Sequence, residues 1–326
     1  MRTRILNLLR QRSGEYLSGE EIARQLDVSR TAVWKHMQEL KQEGYAIDAH
    51  SRRGYSLRQA PDLLLPAEIQ AAVKTKILGR DIRYFTHIDS TNNEAKKIAA
   101  AGAAEGTIVV SESQNSGRGR LSRGWYSPEH SGIWLSVILR PAFSPQEAPK
   151  CTLLAAVAIT RAIRGLCKVD CGIKWPNDIL YDGKKLVGIL TEMSAEMDAI
   201  NHIVIGMGIN VNIAQQDFPV ELQDIATSLS IILGQPISRI DLLCEILLQL
   251  EELYIQAIDT GFSGILNEWR KYSITIGQTV DVIGVNRKFT GIAVDIDEDG
   301  ALLVETDNGR QKVIAGDVSI RPKKTS

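Results

Sequence analysis

Gly117-Arg118-Gly119-Arg120-Leu121-Ser122 decides between two kinds of architecture built from helices and sheet. Read as a near match to the dinucleotide pattern GxGxxG, it calls for a doubly wound parallel sheet with a helix directly after the loop. The match fails on context. Ser122 stands where the third glycine is needed, and the polar stretch runs on through Arg123 and Trp125 to Pro128, after which the next element reads as a strand. No GxxxxGK[ST] occurs either, so any handling of ATP proceeds without a P-loop. What remains is a cationic loop. Its arginines offer planar donors that match carboxylate or phosphate in pairs, and its glycines let the main chain come close to a ligand. A solvated basic loop without a ligand is the alternative.

The segments around the loop give the fold class. Ile82 to Ile88, Thr107 to Ser113, Ile133 to Leu139, Gly172 to Trp175, Leu186 to Met193 and Ile203 to Val211 have β-type patterns, with helical stretches near 148 to 165 and 239 to 258. Helices are not regularly interleaved with strands, which predicts an α+β layout with helices on a mixed sheet. Asp89 to Glu94 reads as a helix start, with Thr91 and Glu94 at capping-box spacing and the helix running to Ala101. Beyond about Ile274, Gln278 to Ile283, Lys288 to Asp295, Ala301 to Glu305 and Gln311 to Ile314 are short strands between Gly- and Asp-rich turns, the pattern of a small β-barrel. Pro61 and Pro66 mark a boundary. The expected divisions are 1–60, a linker 61–68, a catalytic domain 69–273 and a barrel 274–326.

The chain has 326 residues, long enough for two or three domains, and a net charge of −1 that hides an asymmetry. Residues 1 to 58 carry eleven Lys/Arg against seven Asp/Glu, net +4, and the remainder is net −5. A basic module on an acidic body suggests local attraction to a polyanion. Ile5, Leu8 and Leu9 have helical spacing; Ser18 to Glu21 is a capping box; Asp27-Val28-Ser29 breaks the chain before a third helix running to about Gln42. In that helix Val33, Met37 and Leu40 form the apolar stripe, and Thr31, Trp34, Lys35 and Gln38 face outward. Tyr45 to Ala49 and Tyr55 to Arg58 then flank the basic turn Ser51-Arg52-Arg53-Gly54. This is the pattern of a DNA-binding winged helix-turn-helix, whose candidate contacts are Ser29, Arg30, Thr31, Trp34, Lys35 and Gln38 on the helix and Arg52 and Arg53 on the wing. A small helical domain that binds another protein is the alternative. No apolar run reaches a membrane span, and Met1 to Asn7 lack a signal-peptide core, so a cytoplasmic address is expected. Cys151, Cys167, Cys171 and Cys244 have no metal-type pairing and read as reduced, mostly buried thiols.

Several further motifs accompany the arginine loop: Ser90-Thr91-Asn92, Gln114, Lys174-Trp175-Pro176-Asn177-Asp178, Lys185-Leu186-Val187-Gly188 and Gly206-Met207-Gly208-Ile209-Asn210. In order and spacing the set resembles the biotin protein ligases. With the winged helix attached, the whole chain resembles the bifunctional bacterial form, in which ligase and biotin operon repressor share one polypeptide. The family loop is often written GRGRxGR; Ser122 departs from it and leaves both arginines in place.

The resemblance implies a class II synthetase-like catalytic domain, an SH3-like barrel and a two-step reaction. Biotin and ATP, with Mg2+, give biotinyl-5′-AMP and pyrophosphate. A lysine of a biotin carboxyl carrier protein, from acetyl-CoA carboxylase or pyruvate carboxylase, then takes the biotinyl group. The adenylate would also act as corepressor, with operator DNA and a homodimer as partners and no role for a membrane. Lys185, Arg120 and Asp178 are the implied catalytic residues. Ser90, Thr91, Asn92, Gln114, Gly117, Arg118, Gly119, Arg120 and Lys185 would hold biotin; Arg118, Arg120, Arg123, Trp125, Lys185, Asn177 and Asn210 would hold the nucleotide. Trp134 and Gly206 to Gly208 are further candidates for apolar walls. Trp125 as a core residue and Asp178 as an Asx-type turn stabiliser remain open, and no carboxylate cluster announces a metal site. A lipoate protein ligase and a non-catalytic biotin-sensing transcription factor are the alternatives.

Overall fold

Two serine caps shape the N-terminal part of the chain. The computed structural model describes residues 1–12, 14–196, 199–284, 288–315 and 318–322 and divides into two units, Met1–Leu63 and Leu64–Ser326. In the first, α1 (Arg2–Gln11) is followed by α2 (Gly19–Leu26) and α3 (Arg30–Gln42). Ser18 Oγ accepts from the Glu21 N–H at 3.0 Å and Ser29 Oγ from the Ala32 N–H at 3.1 Å, so each helix gains a partner for one otherwise orphaned donor. Asp27, at φ 55, makes the sharp turn between α2 and α3. Ile5, Ile22, Val33, Met37 and Leu40 are wholly buried where the helices meet. An antiparallel wing follows, β1 (Ala46–His50) with β2 (Gly54–Gln59). Gly54 has φ 100, and a Cβ there would lie 2.0 Å from the Leu17 carbonyl oxygen, so only glycine fits. This is the expected winged helix-turn-helix.

The second unit begins earlier than a linker to residue 68 allows. Pro66 opens α4 (Pro66–Ala72) instead of interrupting it, because a helix's first N–H has no intrahelical partner to lose, and Leu64 and Ile69 are wholly buried. Next come β3 (Ile82–Ile88), α5 (Thr91–Ala100), β4 (Ile108–Gln114), β5 (Gly132–Leu139), α6 (Lys150–Ala162), β6 (Gly172–Lys174), β7 (Asp178–Tyr181), β8 (Lys184–Glu196) and β9 (Ala199–Asn210). The seven strands lie in the order β3-β4-β5-β9-β8-β7-β6, with β3–β4 parallel and every other neighbouring pair antiparallel. The sheet is therefore mixed, as the sequence predicts.

Strand alternation assigns the two faces. Ile133, Leu135 and Val137 of β5 and Ile203, Ile205, Met207 and Ile209 of β9 join the main core. That core also holds α6, α8 (Arg239–Thr260) and α9 (Ser263–Tyr272), which follow the short α7 (Leu229–Leu233). Ten of the thirteen α6 residues are buried, which explains its lack of a polar face. The intervening strand residues face the other way: Val109, Ile138 and Val204 pack with Ala95 and Ala99 of α5. Burial pushes the Cys151 and Cys244 thiols up to about 12, so neither ionises near neutrality. Among the described residues no helix is long and apolar enough to cross a membrane.

A five-stranded antiparallel sheet ends the chain: β10 (Thr279–Gly284), β11 (Lys288–Ile296), β12 (Leu302–Thr306), β13 (Gly309–Val313) and β14 (Val318–Pro322), in the order β13-β12-β11-β10-β14. Four strands are expected from sequence; β14 is the fifth, and β13 and β14 do not pair with each other among the described residues. Val280, Val282, Leu302 and Val304 share one core with α6, and Trp175 Nε1 donates to the Gly300 carbonyl at 3.0 Å, so packing is continuous across residue 274.

Deep in this unit Arg239 donates to Glu112 Oε2 at 2.8 Å and to the Gly132 carbonyl at 3.1 Å, while the Leu64 N–H donates to Glu112 Oε1 at 2.7 Å. Both charged side chains are fully buried. Removing one partner strands the other's charge, so Arg239→Met is expected to lower the unfolding free energy of this unit by about 3–5 kcal/mol in urea titrations. Arg83→Met, which breaks the exposed Arg83–Asp81 pair, should cost less than about 1 kcal/mol.

Candidate active site

Glycine on the α5 side of the sheet creates the site. Gly188 of β8 and Gly208 of β9 are direct cross-strand partners, and Gly206 lies two residues along. A Cβ on Gly188 would lie 2.6 Å from the Trp125 ring, one on Gly208 2.3 Å from Trp125 Nε1, and one on Gly206 2.0 Å from Asn92 Oδ1. The absent side chains make room for groups from α5 and from the loop after β4 to lie directly on the sheet. Above it opens a cavity of about 480 Å³.

The start of α5 supplies the polar end. Ser90 is the N-cap but its side chain makes no cap bond, and Thr91 is the first helical residue, so the expected Thr91 capping box does not form. Thr91 instead donates through N–H and Oγ1 to Gln114 Oε1, at 2.9 and 3.1 Å. Ser136 Oγ donates toward Thr91 Oγ1 (2.8 Å) and Asn92 Oδ1 (2.6 Å), and Gln114 Nε2 donates to Ser127 Oγ (2.9 Å), which donates to the Trp125 carbonyl (3.2 Å). A continuous chain of bonds therefore joins the sheet, α5 and the loop. Asn92 Nδ2 also donates to Glu192 Oε2 at 2.9 Å, and Lys96 pairs with the same carboxylate at 2.6 Å. Burial pushes the Glu192 carboxyl up, but the hydrogen bonds from Lys96 and Asn92 outweigh it and hold the group below its usual range.

The arginine loop is a small hairpin. Gly119 N–H donates to the Arg123 carbonyl and Trp125 N–H to the Gly117 carbonyl, both at 2.8 Å, and Leu121 at the tip has φ 55. The Gly119 N–H is thus committed within the loop. Gly117 does not line the cavity: it packs behind the wall, where a Cβ would meet the Trp125 carbonyl oxygen at 2.5 Å. Arg118, Arg120 and Arg123 do line it. Arg118 donates to Asn93 Oδ1 at 3.0 Å, and Arg120 to Asn177 Oδ1 at 3.2 Å and to the Ala315 carbonyl of the C-terminal sheet. Trp125 lies over the glycine floor, with the Lys185 ammonium 5.1 Å from the ring centre. Trp134, considered as a wall, is instead wholly buried, its indole N–H on the Glu112 and Pro128 carbonyls.

Lys185 lies within β8 and its ammonium is 2.7 Å from Asp178 Oδ1, a charge contact without the alignment of a hydrogen bond. Asp178 starts β7, and its carboxylate faces the cation across the bulged β7–β8 pair. The Lys185 backbone is held by the segment after β9: Lys185 N–H donates to the Ile225 carbonyl at 2.8 Å and Thr227 N–H to the Lys185 carbonyl at 3.0 Å. Asn210 Nδ2 donates to the Thr227 carbonyl at 3.0 Å. Among the described residues the cavity wall carries Arg118, Arg120, Arg123, Lys174 and Lys185 against one carboxylate, Asp178, and suits an anionic ligand.

Sequence reasoning passed over Glu192, Ser136, Tyr126 and the segment 213–226. Tyr126 OH donates to the Asp217 carbonyl at 2.9 Å and its ring is 6.4 Å from Phe218, which closes that segment over the cavity. The one hint in the sequence was Phe218 between polar residues and Pro219. In the N-terminal unit Arg30, Thr31, Trp34 and Lys35 are exposed along α3, Gln38 is half-buried, and Arg52 and Arg53 are exposed on the wing. Arg53 stacks 4.2 Å above the Tyr16 ring. Ser29 Oγ accepts the cap bond from the Ala32 N–H.

Three known families match successive parts of the chain. Residues 2–56 match the HTH domain, 84–210 the biotin/lipoate A/B protein ligase family, and 275–321 the biotin protein ligase C terminal domain. The chain is 44% identical to the bifunctional ligase/repressor BirA of Bacillus subtilis over 98% of both chains. It is 32% identical to the biotin–[acetyl-CoA-carboxylase] ligase of Mycobacterium tuberculosis, over 79% of this chain and 97% of that one. The structure of the Aquifex aeolicus biotin protein ligase in complex with biotin and ATP superposes with a TM-score of 0.67 at 28% identity, covering 75% of this chain and all of that one. A winged helix, a cationic cavity on a glycine-floored mixed sheet and near-complete alignment with such relatives have one meaning: the chain belongs to the family of bifunctional biotin protein ligase/repressors.

Proposed function

We propose that the protein is an ATP-dependent biotin protein ligase and a biotin-responsive repressor of biotin synthesis genes, with the cavity above Gly188 and Gly208 as its reaction site. The observation that carries the reading is the convergence of Thr91, Asn92, Gln114, Arg118, Arg120, Asp178 and Lys185 on that one cavity. The Ser90 to Asn92 end, with Gln114, suits the ureido ring of biotin, which needs short polar groups at one end. The carboxylate then points toward Lys185 and Arg120.

In the first step a biotin carboxylate oxygen attacks the α-phosphorus of ATP, forming the mixed anhydride and expelling pyrophosphate. Two anions must meet, so positioned cations supply much of the rate. Lys185 and Arg120 serve this role, with Arg118 beside them; Arg123, Asn177 and Asn210 hold the nucleotide, and Trp125 shields the adenine. In the second step a carrier lysine amine attacks the acyl carbon, the amide forms and AMP leaves. Asp178, already 2.7 Å from Lys185, is the carboxylate best placed to orient that amine and take its proton. Magnesium accompanies ATP in this reading; among the described residues no three His, Cys, Asp or Glu side chains are grouped to hold a metal ion. The carrier is a biotin carboxyl carrier protein, and the address is the cytoplasm, where ATP, carrier and DNA are all at hand. Adenylate binding orders the Gln114 to Pro128 loop and favours a homodimer that presents two winged helices to a two-fold operator.

Pyrophosphate release that requires biotin, and that lipoate does not support, tests the ligase reading; transfer to a carrier protein and salt-sensitive binding to promoter DNA complete it. Lys185→Ala should slow pyrophosphate release about 100- to 1000-fold with an unchanged circular dichroism spectrum, and a fully active variant would remove the central assignment. Arg120→Gly should let adenylate escape, seen as biotin incorporated into bystander proteins. Sedimentation should show tighter dimerisation with biotin and ATP; an unchanged constant would end the regulatory mechanism.

A further inference from the structure

We infer that Trp34 is a base-reading residue of the DNA-binding unit and that the base it reads is thymine. The inference rests on the repressor reading and extends it to sequence preference.

Trp34 sits within α3 and is 57% exposed, although a large aromatic side chain would ordinarily be placed in a core. The core of this unit does not need it, because Val33, Met37 and Leu40 already form the wholly buried stripe of the same helix. Its neighbours on the outward face are polar or cationic: Arg30 and Thr31 one turn before it, Lys35 beside it, Gln38 one turn after. Arg30 to Gln38 spans about 12 Å of helix axis, close to the ~12 Å width of the B-DNA major groove. Arg52 and Arg53 lie exposed on the wing, and residues through Arg58 carry net charge +4. The charge favours a polyanion over a neutral or basic protein surface, and the outward helix face with its flanking wing fits duplex DNA as the occupant. Trp34 is central in the stripe, the position that faces base edges when a helix lies in the groove.

The indole offers one N–H donor, no acceptor and a broad apolar rim. Guanine presents two acceptors in the major groove, cytosine a donor, adenine an acceptor beside a donor, and thymine an acceptor beside a methyl group. Thymine alone matches both halves of the indole. Gln38, one turn along, carries the amide suited to adenine, so neighbouring positions of the half-site have complementary readers. The cations fix position and supply the salt dependence.

The experiment takes the full chain with biotin and ATP, selects bound duplexes from a random library, and replaces each thymine of the recovered site in turn by deoxyuridine. That exchange removes only the methyl group. At one thymine per half-site the wild-type protein should lose about fourfold to tenfold in affinity, the scale of a buried methyl contact. Trp34→Ala should bind the unmodified site more weakly and lose that sensitivity while keeping the wild-type salt slope, whereas Lys35→Ala should reduce the slope by about one. Trp34→Phe, which keeps the apolar ring, should retain the methyl sensitivity. Deoxyuridine sensitivity that persists in Trp34→Ala, or unaltered DNA affinity in that variant, overturns the inference and leaves the repressor reading standing. Failure to recover any preferred site overturns both.

Discussion

The buried Glu112–Arg239 pair is the constraint on which the ligase unit depends. An ion pair removed from water gains little net stability, because desolvation offsets the attraction. Its effect here is positional. Glu112 lies in β4 two residues before Gln114; Arg239 begins α8; the Leu64 N–H on the carboxylate fixes the chain where the unit begins. The Gly132 carbonyl on the guanidinium fixes the start of β5. A site assembled from the ends of β4, α5 and β9 needs those ends held in register, and this network binds two of the strands to the helix layer.

Against that fixed frame the cavity owes its shape to missing atoms. Gly188 and Gly208 face each other across β8 and β9 and leave room for an indole, while Gly206 leaves room for the Asn92 amide. Glycine weakens a strand, so such a cluster is tolerable in a sheet whose other face is fully packed, as it is here against α6 and α8. The cations then come from separate elements: Arg118, Arg120 and Arg123 from the hairpin loop, Lys174 and Lys185 from the strands. Asp178 faces Lys185 and the Asn177 amide oxygen accepts from Arg120, so two of these cations have defined partners on the strand side of the cavity.

Much of this was legible in the sequence because it is local. Alternation located β3, β4, β5, β8 and β9 to within a few residues, and the failure of Gly117 to Ser122 as a dinucleotide loop excluded the parallel fold. Ser18 and Ser29 were readable as caps because a cap reaches only three residues. What escaped depends on contacts distant in sequence. Thr91 has the spacing of a capping residue, yet its hydroxyl is drawn to Gln114, 23 positions away. Glu192 meets Asn92 across 100 positions. Trp134 reads as a candidate wall until alternation and the Glu112 carbonyl bury it. The segment 213–226 has no periodicity of its own; scattered bonds from distant residues hold it, among them Tyr126 on the Asp217 carbonyl, Lys184 on the Gln223 carbonyl and the Lys185 N–H on the Ile225 carbonyl.

The bond chain from Ser136 to the Trp125 carbonyl has a direction. Each hydroxyl or amide along it donates onward, from Ser136 to Thr91, Gln114, Ser127 and the loop peptide. A guest that accepts the Thr91 proton leaves the Gln114 carbonyl one donor short, and the remaining links must readjust in turn. The far end offers only an acceptor, so disturbance of the loop peptide returns no proton to the sheet. The wiring is polarised from sheet to loop, and an uncharged acceptor placed at Thr91 would compete for one of its links without moving net charge.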